Sequence, residues 1–144
     1  MVNYIPLSPL LLTAGSPTVQ DLADLRDQGV EVVINLALPT SPAAIPNEAG
    51  EVARLGMQYV PIPVIWESPT LENLQDFFTA CERCAGQKTF IHCVKNMRVS
   101  AFVYLYRVLR KGADPQEAYY DMAQIWEPEG TWAEFIETAL KTAR

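Results

Sequence analysis

The chain has 144 residues, of which 49% are hydrophobic, and this is enough for one folded domain that needs neither disulfides nor a metal to form its core. Its net charge of −6 and its sequence pI near 4.7 argue against a general nucleic-acid or anionic-membrane surface. Three cysteines are too few for a disulfide framework, and no apolar run approaches the length of a bilayer span, so we predict a cytoplasmic protein.

The predicted elements alternate between strands and helices. Residues 1–13 are apolar but contain Pro6 and Pro9, which predicts an irregular or edge strand. The other strands are predicted at 30–36, 57–64 and 88–92. Helices are predicted at 18–28, 48–55, 70–85, 99–111, 114–126 and 131–140, from apolar residues at helical spacing, capping residues and terminal glycines.

Strands that alternate with helices predict an α/β domain, with a mostly parallel central sheet of four to five strands flanked by helices. No internal repeat, low-complexity tract or domain boundary interrupts the pattern, so a single domain is predicted over 1–144. In such sheets the functional loop lies at the carboxyl end of a strand. The loop after the strand at 88–92 carries a cysteine and two cations and is the best candidate.

This loop has the composition of an anion site with a nucleophile. Cys93 ends the strand and a helix begins near Arg98; the first N–H groups of a helix lack intrahelical partners, carry partial positive charge and bind anions. That helix end, the loop N–H donors and the two cations favour a thiolate, so Cys93 is the predicted nucleophile. Arg98 can grip two oxygens at once. The predicted anion-binding residues are Val94, Lys95, Asn96, Met97 and Arg98.

One residue of this region sets the shape of the turn, and two others have alternative roles. A turn this tight needs one residue at positive φ, and Asn96 tolerates that conformation. His92 is the only histidine; it is predicted to orient the loop or help hold the thiolate, with an ordinary structural hydrogen bond as the alternative. A lone histidine cannot define a metal site, and no metal or cofactor is predicted. For Cys93 the alternative is a buried structural cysteine at a strand end.

Cys81 and Cys84 have the spacing of a redox motif or of half a zinc site. No second ligand pair exists and both lie in a predicted helix, so ordinary thiols are predicted, with a resolving role toward Cys93 as the alternative. The tryptophans are predicted to be core or pocket-wall residues. They are Trp66, Trp126 and Trp132.

Four segments together resemble the bacterial protein-tyrosine-phosphatase-like families of the dual-specificity-phosphatase fold. They are the turn 15–18, the strand 33–36, the segment 59–63, and His92-Cys93 ahead of Arg98, so the resemblance covers nearly the whole chain. It implies that the Cys93 thiolate attacks phosphorus, that Arg98 and the loop amides bind the phosphoryl oxygens, and that water hydrolyses a cysteinyl-phosphate. It also implies a phosphorylated small molecule or a phosphoprotein as the partner.

The resemblance further implies a general acid from a separate loop. Such phosphatases usually place an aspartate after the segment that corresponds to 61–63, and here the only acid in that loop is Glu67. Glu67 is therefore the predicted general acid if the loop folds over Cys93, with a solvated surface glutamate as the alternative. Glu127 and Glu129 are lesser candidates.

The loop departs from the phosphatase signature in its length. The signature has five residues between cysteine and arginine, whereas four lie between Cys93 and Arg98. Asn96 is the nearest substitute for the usual glycine, and the hydroxyl residue that normally follows the arginine comes one residue later, at Ser100. The shorter spacing is similar to that of rhodanese-type sulfurtransferases. Two alternatives therefore stay open: a sulfurtransferase or persulfide-handling enzyme that uses Cys93, and a catalytically silent anion-binding module.

Overall fold

A five-stranded sheet with the strand order β1-β2-β5-β3-β4 forms the centre of the computed structural model, which describes residues 1–142. Its strands are β1 (Ile5–Ser8), β2 (Leu11–Ala14), β3 (Val32–Asn35), β4 (Gln58–Pro61) and β5 (Thr89–His92). The helices of the described part are α1 (Val19–Asp27), α2 (Glu48–Arg54), α3 (Leu71–Arg83), α4 (Met97–Arg110), α5 (Pro115–Ala123) and α6 (Thr131–Thr142).

The strands pair in parallel, except that β1 runs antiparallel to β2. β5 lies in the middle of the sheet and all its residues are buried, as expected where helices cover both faces. Its last residue, His92, is in register with Ala14 of β2 and Asn35 of β3. The predicted α/β class and mostly parallel sheet are confirmed, and the loop after β5 starts at the centre of the sheet's carboxyl edge.

Alternate residues of the inner strands point to opposite faces of the sheet and divide the core into two clusters. Ile34 and Ile91 pack on one face, against helices α3, α4, α5 and α6. Val33 and Phe90 pack on the other face, against α1 and α2. Within residues 1–142, no helix combines the length and the hydrophobicity of a membrane span.

The prediction for the first thirteen residues needs correction, because they contribute to a hairpin of two strands. Pro9 and Leu10 make the turn between β1 and β2, where the fixed φ of proline is favourable. Pro6 lies on the outermost strand β1, where a missing N–H is tolerated. β2 is an inner strand, so the N-terminal segment reaches the middle of the sheet beside β5.

Two helix boundaries also differ from the prediction. α5 ends at Ala123, earlier than predicted. α6 begins at Thr131 and runs on to Thr142. Gly130 has a φ of 58°, and its carbonyl accepts a hydrogen bond from the N–H of Glu134. Gly130 therefore occupies the capping position that the sequence assigned to Thr131.

Candidate active site

The loop between β5 and α4 places a buried cysteine and a buried arginine at the start of a helix. Cys93 is only 1% exposed and Arg98, in the first turn of α4, is 7% exposed. Asn96 has a φ of 65°, which confirms the expectation of a left-handed residue in the turn. Asparagine supplies here the conformation for which glycine is the usual residue.

Donors outside the loop hold its carbonyl groups. Ser16 donates twice: its N–H to the Val94 carbonyl at 2.9 Å and its hydroxyl to the Cys93 carbonyl at 3.4 Å. Asn3 Nδ2 donates to the Lys95 carbonyl at 2.9 Å. In a trans peptide the next N–H points away from the carbonyl, and the described residues contain no cis peptide. The N–H groups that follow these carbonyls therefore face the opposite side of the loop.

These inner N–H groups, together called the cradle, lie at the start of α4 with no protein acceptor in the described part of the chain. No acceptor among residues 1–142 takes a hydrogen bond from the N–H groups of residues 94–98. Ser100 is the first residue after them whose N–H donates to a backbone carbonyl, that of Asn96, at 2.9 Å. Free N–H groups at the start of a helix attract and bind anions. The residues predicted from the sequence are therefore brought together in the expected arrangement.

The N-terminal segment forms hydrogen bonds with the loop, and the sequence did not indicate them. Asn96 is 1% exposed, and its Nδ2 donates to the Asn3 carbonyl at 2.9 Å and to the Thr13 hydroxyl at 3.1 Å. Asn3 itself donates to the Lys95 carbonyl. Asn3 and the loop are more than ninety positions apart, and no local sequence signal marks such a pair.

We predict that Gly15→Ala displaces the loop. A Cβ at Gly15 would lie 2.4 Å from the Val94 carbonyl oxygen and 3.1 Å from the Lys95 Cα, and backbone atoms cannot swing aside. The variant is expected to lose about 1–3 kcal/mol of unfolding free energy, measured by chemical denaturation, and to bind inorganic phosphate more weakly by calorimetry. Gly86→Ala is the control for phosphate binding: its φ of 86° also strains an alanine, but its Cβ would meet open space, so this variant is expected to lose stability and keep its phosphate affinity. Unchanged phosphate affinity in Gly15→Ala would contradict the prediction.

His92 lies against the loop and forms a buried pair with Glu48. Its Nε2 is 2.7 Å from Glu48 Oε2, and the two side chains are 4% and 6% exposed. Its Nδ1 is 3.2 Å from the Cys93 carbonyl oxygen, and its ring stacks on Phe90. The structure thus places His92 where it can orient the loop. Glu48 was not predicted, because a glutamate in a short helix gives no sign of being buried.

A cleft of about 520 Å³ opens onto the cradle. Arg98 lines the cleft and donates from Nη1 to the Val64 carbonyl at 2.8 Å. This hydrogen bond connects the cradle to the loop that carries Glu67. The cleft is mixed in character, with two cations, one acid and several apolar side chains. It is lined by Leu38, Ser41, Pro42, Trp66, Glu67, Cys93, Val94, Lys95, Met97 and Arg98.

Three tryptophans join the Glu67 loop to the start of α4. Trp66 lines the cleft, its ring centroid lies 5.4 Å from that of Trp126 and 5.5 Å from that of Trp132, and its carbonyl accepts from Trp132 Nε1 at 2.8 Å. Trp126 Nε1 donates to the Met97 carbonyl at 3.0 Å and to the Ser100 hydroxyl at 3.1 Å. Ser100 therefore supports the first turn of α4 from behind and does not line the cleft.

The three candidates for the general acid differ in whether they line the cleft. Glu67 is exposed and lines the same cleft as Cys93. Glu127 and Glu129 are exposed on the loop before α6 and are not among the residues that line it. Among the three, Glu67 alone is placed where it can reach a group bound at the cradle.

Cys81 and Cys84 lie at the other end of β5 from Cys93. Both are free thiols in or just after the last turn of α3, and they line a cavity beside Thr89, the first residue of β5. Burial, with smaller contributions from the nearby Cys84 and Glu82, raises the pKa of Cys81 to about 12; burial also raises the pKa of Cys84. Both stay protonated near neutral pH, and the structure does not bring either of them to Cys93.

A family profile described as a DSP-PTPase phosphatase fused to NAD+ kinase matches residues 7–135. The chain belongs to this DSP-PTPase family. The profile spans the sheet, the cradle and the cleft, so the resemblance noted in the sequence is confirmed. The comparison with curated proteins gave no match.

Solved structures show that the family fold extends over the whole described chain. A DUF442 protein of Shewanella putrefaciens CN-32, proposed to be a phosphatase, is 31% identical with a TM-score of 0.88, over 99% of this chain and 93% of that chain. PTPMT1 is 20% identical with a TM-score of 0.76, over 97% of this chain and 95% of that chain. TpbA of P. aeruginosa is 18% identical with a TM-score of 0.70, over 99% and 84%. The chain is thus a phosphatase-like member of the DSP-PTPase family.

Proposed function

We propose that the protein hydrolyses a phosphate monoester through a cysteinyl-phosphate on Cys93. The observation that carries this proposal is that the Cys93 thiol, the Arg98 guanidinium and the free N–H groups of residues 94–98 meet at one cleft. A nucleophile beside preorganised donors for the oxygens of the transferring group is the arrangement that phosphoryl transfer requires.

The reaction takes two steps. The Cys93 thiolate forms a bond to phosphorus while the bond to the ester oxygen breaks, and Glu67 gives its proton to that leaving oxygen. Arg98 and the loop N–H groups hold the other phosphoryl oxygens, whose charge they stabilise in the transition state. A water molecule then attacks phosphorus and gives its proton to Glu67, the S–P electron pair returns to sulfur, and phosphate is released.

The cleft favours a substrate with one phosphate on an apolar or aromatic group. Among the described residues that line it, Lys95 and Arg98 are the cations, and the surrounding wall contains Leu38, Pro42 and Trp66. Two cations are few for a polyphosphorylated ligand, and an indole face suits a planar ring. TpbA, which shares the fold, was solved in complex with pTyr. The partner is thus a phosphoprotein or a small phosphorylated molecule.

The test is to trap the intermediate. Wild-type protein is mixed with an aryl phosphate, quenched in acid within the first turnovers, digested and analysed by mass spectrometry. The proposal expects release of the aryl alcohol together with a phosphoryl adduct on the peptide that contains Cys93. Turnover with no adduct on that peptide, or no turnover of any phosphate ester, would count against it.

We predict that Glu67→Gln slows the hydrolysis of substrates with poor leaving groups. The variant cannot donate a proton, so kcat/KM for phenyl phosphate, which does not include the later hydrolysis of the cysteinyl-phosphate, is expected to fall roughly 10²-fold, within the range of general acid catalysis. A nitrophenyl ester, whose leaving oxygen needs no proton, is expected to lose much less. Glu127→Gln is the matched control, since Glu127 does not line the cleft. An equal loss for both esters would mean that Glu67 is not the acid.

Sulfur transfer is the second candidate, and the short spacing between Cys93 and Arg98 favours it. A cysteine persulfide has one bound sulfur and needs less room than a tetrahedral phosphate. In that case the Cys93 thiolate attacks the outer sulfur of thiosulfate, the S–S bond of thiosulfate breaks and sulfite leaves, so incubation with thiosulfate is expected to add one sulfur to the Cys93 peptide. A silent anion-binding module would instead bind phosphate, lose that binding in Arg98→Ala, and show neither adduct.

A further inference from the structure

A buried chain of hydrogen bonds runs from the end of β3, through Glu48 of α2, to the carbonyl of the proposed nucleophile. The proposed reaction does not use it. It begins at Asn35, whose Nδ2 is 3.4 Å from Glu48 Oε1, and continues through Glu48 Oε2 to His92 Nε2 at 2.7 Å. It ends where His92 Nδ1 meets the Cys93 carbonyl at 3.2 Å. Asn35, Glu48 and His92 are 7%, 7% and 3% exposed.

The direction of each hydrogen bond follows from two backbone groups, one of which can only donate and the other only accept. The Ala37 N–H can only donate, and it donates to Asn35 Oδ1 at 2.8 Å, so Asn35 presents its Nδ2 to Glu48. Glu48 Oε1 is therefore an acceptor. At the other end the Cys93 carbonyl can only accept, so His92 Nδ1 must carry a proton. The 2.7 Å contact between His92 Nε2 and Glu48 Oε2 likewise needs a hydrogen between the two atoms.

We propose that Glu48 is a positioning residue for the cradle, acting through His92. It holds the imidazole with Nδ1–H aimed at the Cys93 carbonyl, which fixes the peptide between Cys93 and Val94. Because that peptide is trans, the Val94 N–H is then fixed on the opposite side, where the anion binds. The inference rests on the proposed function only in naming Cys93 as the nucleophile. Glu48 touches no substrate and is 44 positions away from His92 in the sequence.

The chain offers a clean probe of this geometry, because His92 is its only histidine. In tag-free protein labelled with ¹⁵N-histidine, both imidazole signals come from His92, and their chemical shifts report which nitrogen carries a proton. The expected result at neutral pH is a protonated Nδ1. A wild-type Nδ1 without a proton would overturn the proposal, whether or not the protein hydrolyses phosphate esters.

Two variants of Glu48 separate positioning from charge. The amide of Glu48→Gln can turn its oxygen to Asn35 and its NH2 to His92 Nε2, which keeps the proton on Nδ1. Glu48→Leu removes the partner of His92 altogether. Affinity for inorganic phosphate, measured by calorimetry, is expected to stay within about 3-fold of wild type in Glu48→Gln. In Glu48→Leu it is expected to fall about 10-fold, the effect of weakening one hydrogen bond to the anion. Equal losses in the two variants would overturn the proposal.

A rescue experiment distinguishes this role from a merely structural one. The amide nitrogen of His92→Asn can take the place of Nδ1 and donate to the Cys93 carbonyl without help from Glu48. The double variant His92→Asn, Glu48→Leu is therefore expected to bind phosphate at least as well as His92→Asn alone. A further loss in the double variant would contradict the proposal. Circular dichroism checks that each variant is folded, and if Glu48→Leu unfolds, Glu48→Gln and the ¹⁵N shifts of wild type decide.

Discussion

Cys93→Ser is expected to hydrolyse an aryl phosphate at least about 10⁴-fold more slowly than the wild type, as found when an enzyme loses its nucleophile. A serine hydroxyl at this position has no adjacent base to ionise it and is a weaker nucleophile than a cysteine sulfur. Because the cradle N–H groups and Arg98 are untouched, inorganic phosphate should still bind with affinity close to that of wild type. Initial rates and calorimetry on the same preparations measure both quantities.

The control for this substitution is Cys81→Ser. It makes the same atomic change at the amino end of β5, beside Thr89 and away from the cleft. It is expected to keep wild-type kcat and KM. If Cys93→Ser retained a tenth or more of the wild-type rate, Cys93 would not be the nucleophile, and a loss of phosphate binding together with activity would mean that the loop had collapsed.

Arg98→Lys is expected to lower kcat/KM for the same ester by roughly 10²–10³-fold, the usual effect of removing one preorganised donor to the transition state. The guanidinium can donate to the Val64 carbonyl through Nη1 and still offer N–H groups to phosphoryl oxygens. A lysine ammonium is a point charge on a flexible stem and has no planar fork. It cannot donate to the Val64 carbonyl and hold phosphoryl oxygens at the same time. The same variant should also weaken the link between the cradle and the Glu67 loop.

The matched control for Arg98→Lys is Arg54→Lys on the surface of α2. Arg54 also holds its partner through two nitrogens, donating to Glu51 from Nε and Nη2 at 3.2 and 2.9 Å. Its side chain is 61% exposed, and exposed ion pairs contribute little. No change in kinetics is expected there. An Arg98→Lys variant with wild-type kcat/KM would show that charge alone, without the planar fork, is sufficient at the cradle.

Local chemistry made part of the fold and site predictable. The helix caps at Thr18 and Thr70 form as the sequence predicts, because a cap depends on residues at most three positions apart. Asn96 was predicted at positive φ for the same reason, since the conformation is a property of one tight turn. The strand before Cys93 was also predicted, because its β-branched and aromatic residues favour a strand, whereas its central position in the sheet came only from the structure.

The unpredicted residues act across long separations in the sequence. Asn3 reaches the loop from the start of the chain, and Glu48 reaches His92 from helix α2, 44 positions earlier in the sequence. Neither has a repeating spacing or a motif, and a buried carboxylate resembles a surface one in sequence. The hairpin of β1 and β2 was predicted only in part: the prolines indicated an edge strand, as β1 is, but they gave no sign of a second strand beside β5, because that position is a tertiary property.

The strand order has a consequence for how the protein forms during synthesis. β5 separates the β1–β2 hairpin from the β3–β4 pair, so these two halves share no strand pairing until residues 89–92 insert between them. Such long-range pairing is slow because the chain must first close large loops. The Asn3 and Ser16 donors meet the cradle carbonyls only in that step. Phosphate binding therefore reports completion of the sheet, and a nascent chain that ends before β5 cannot show it.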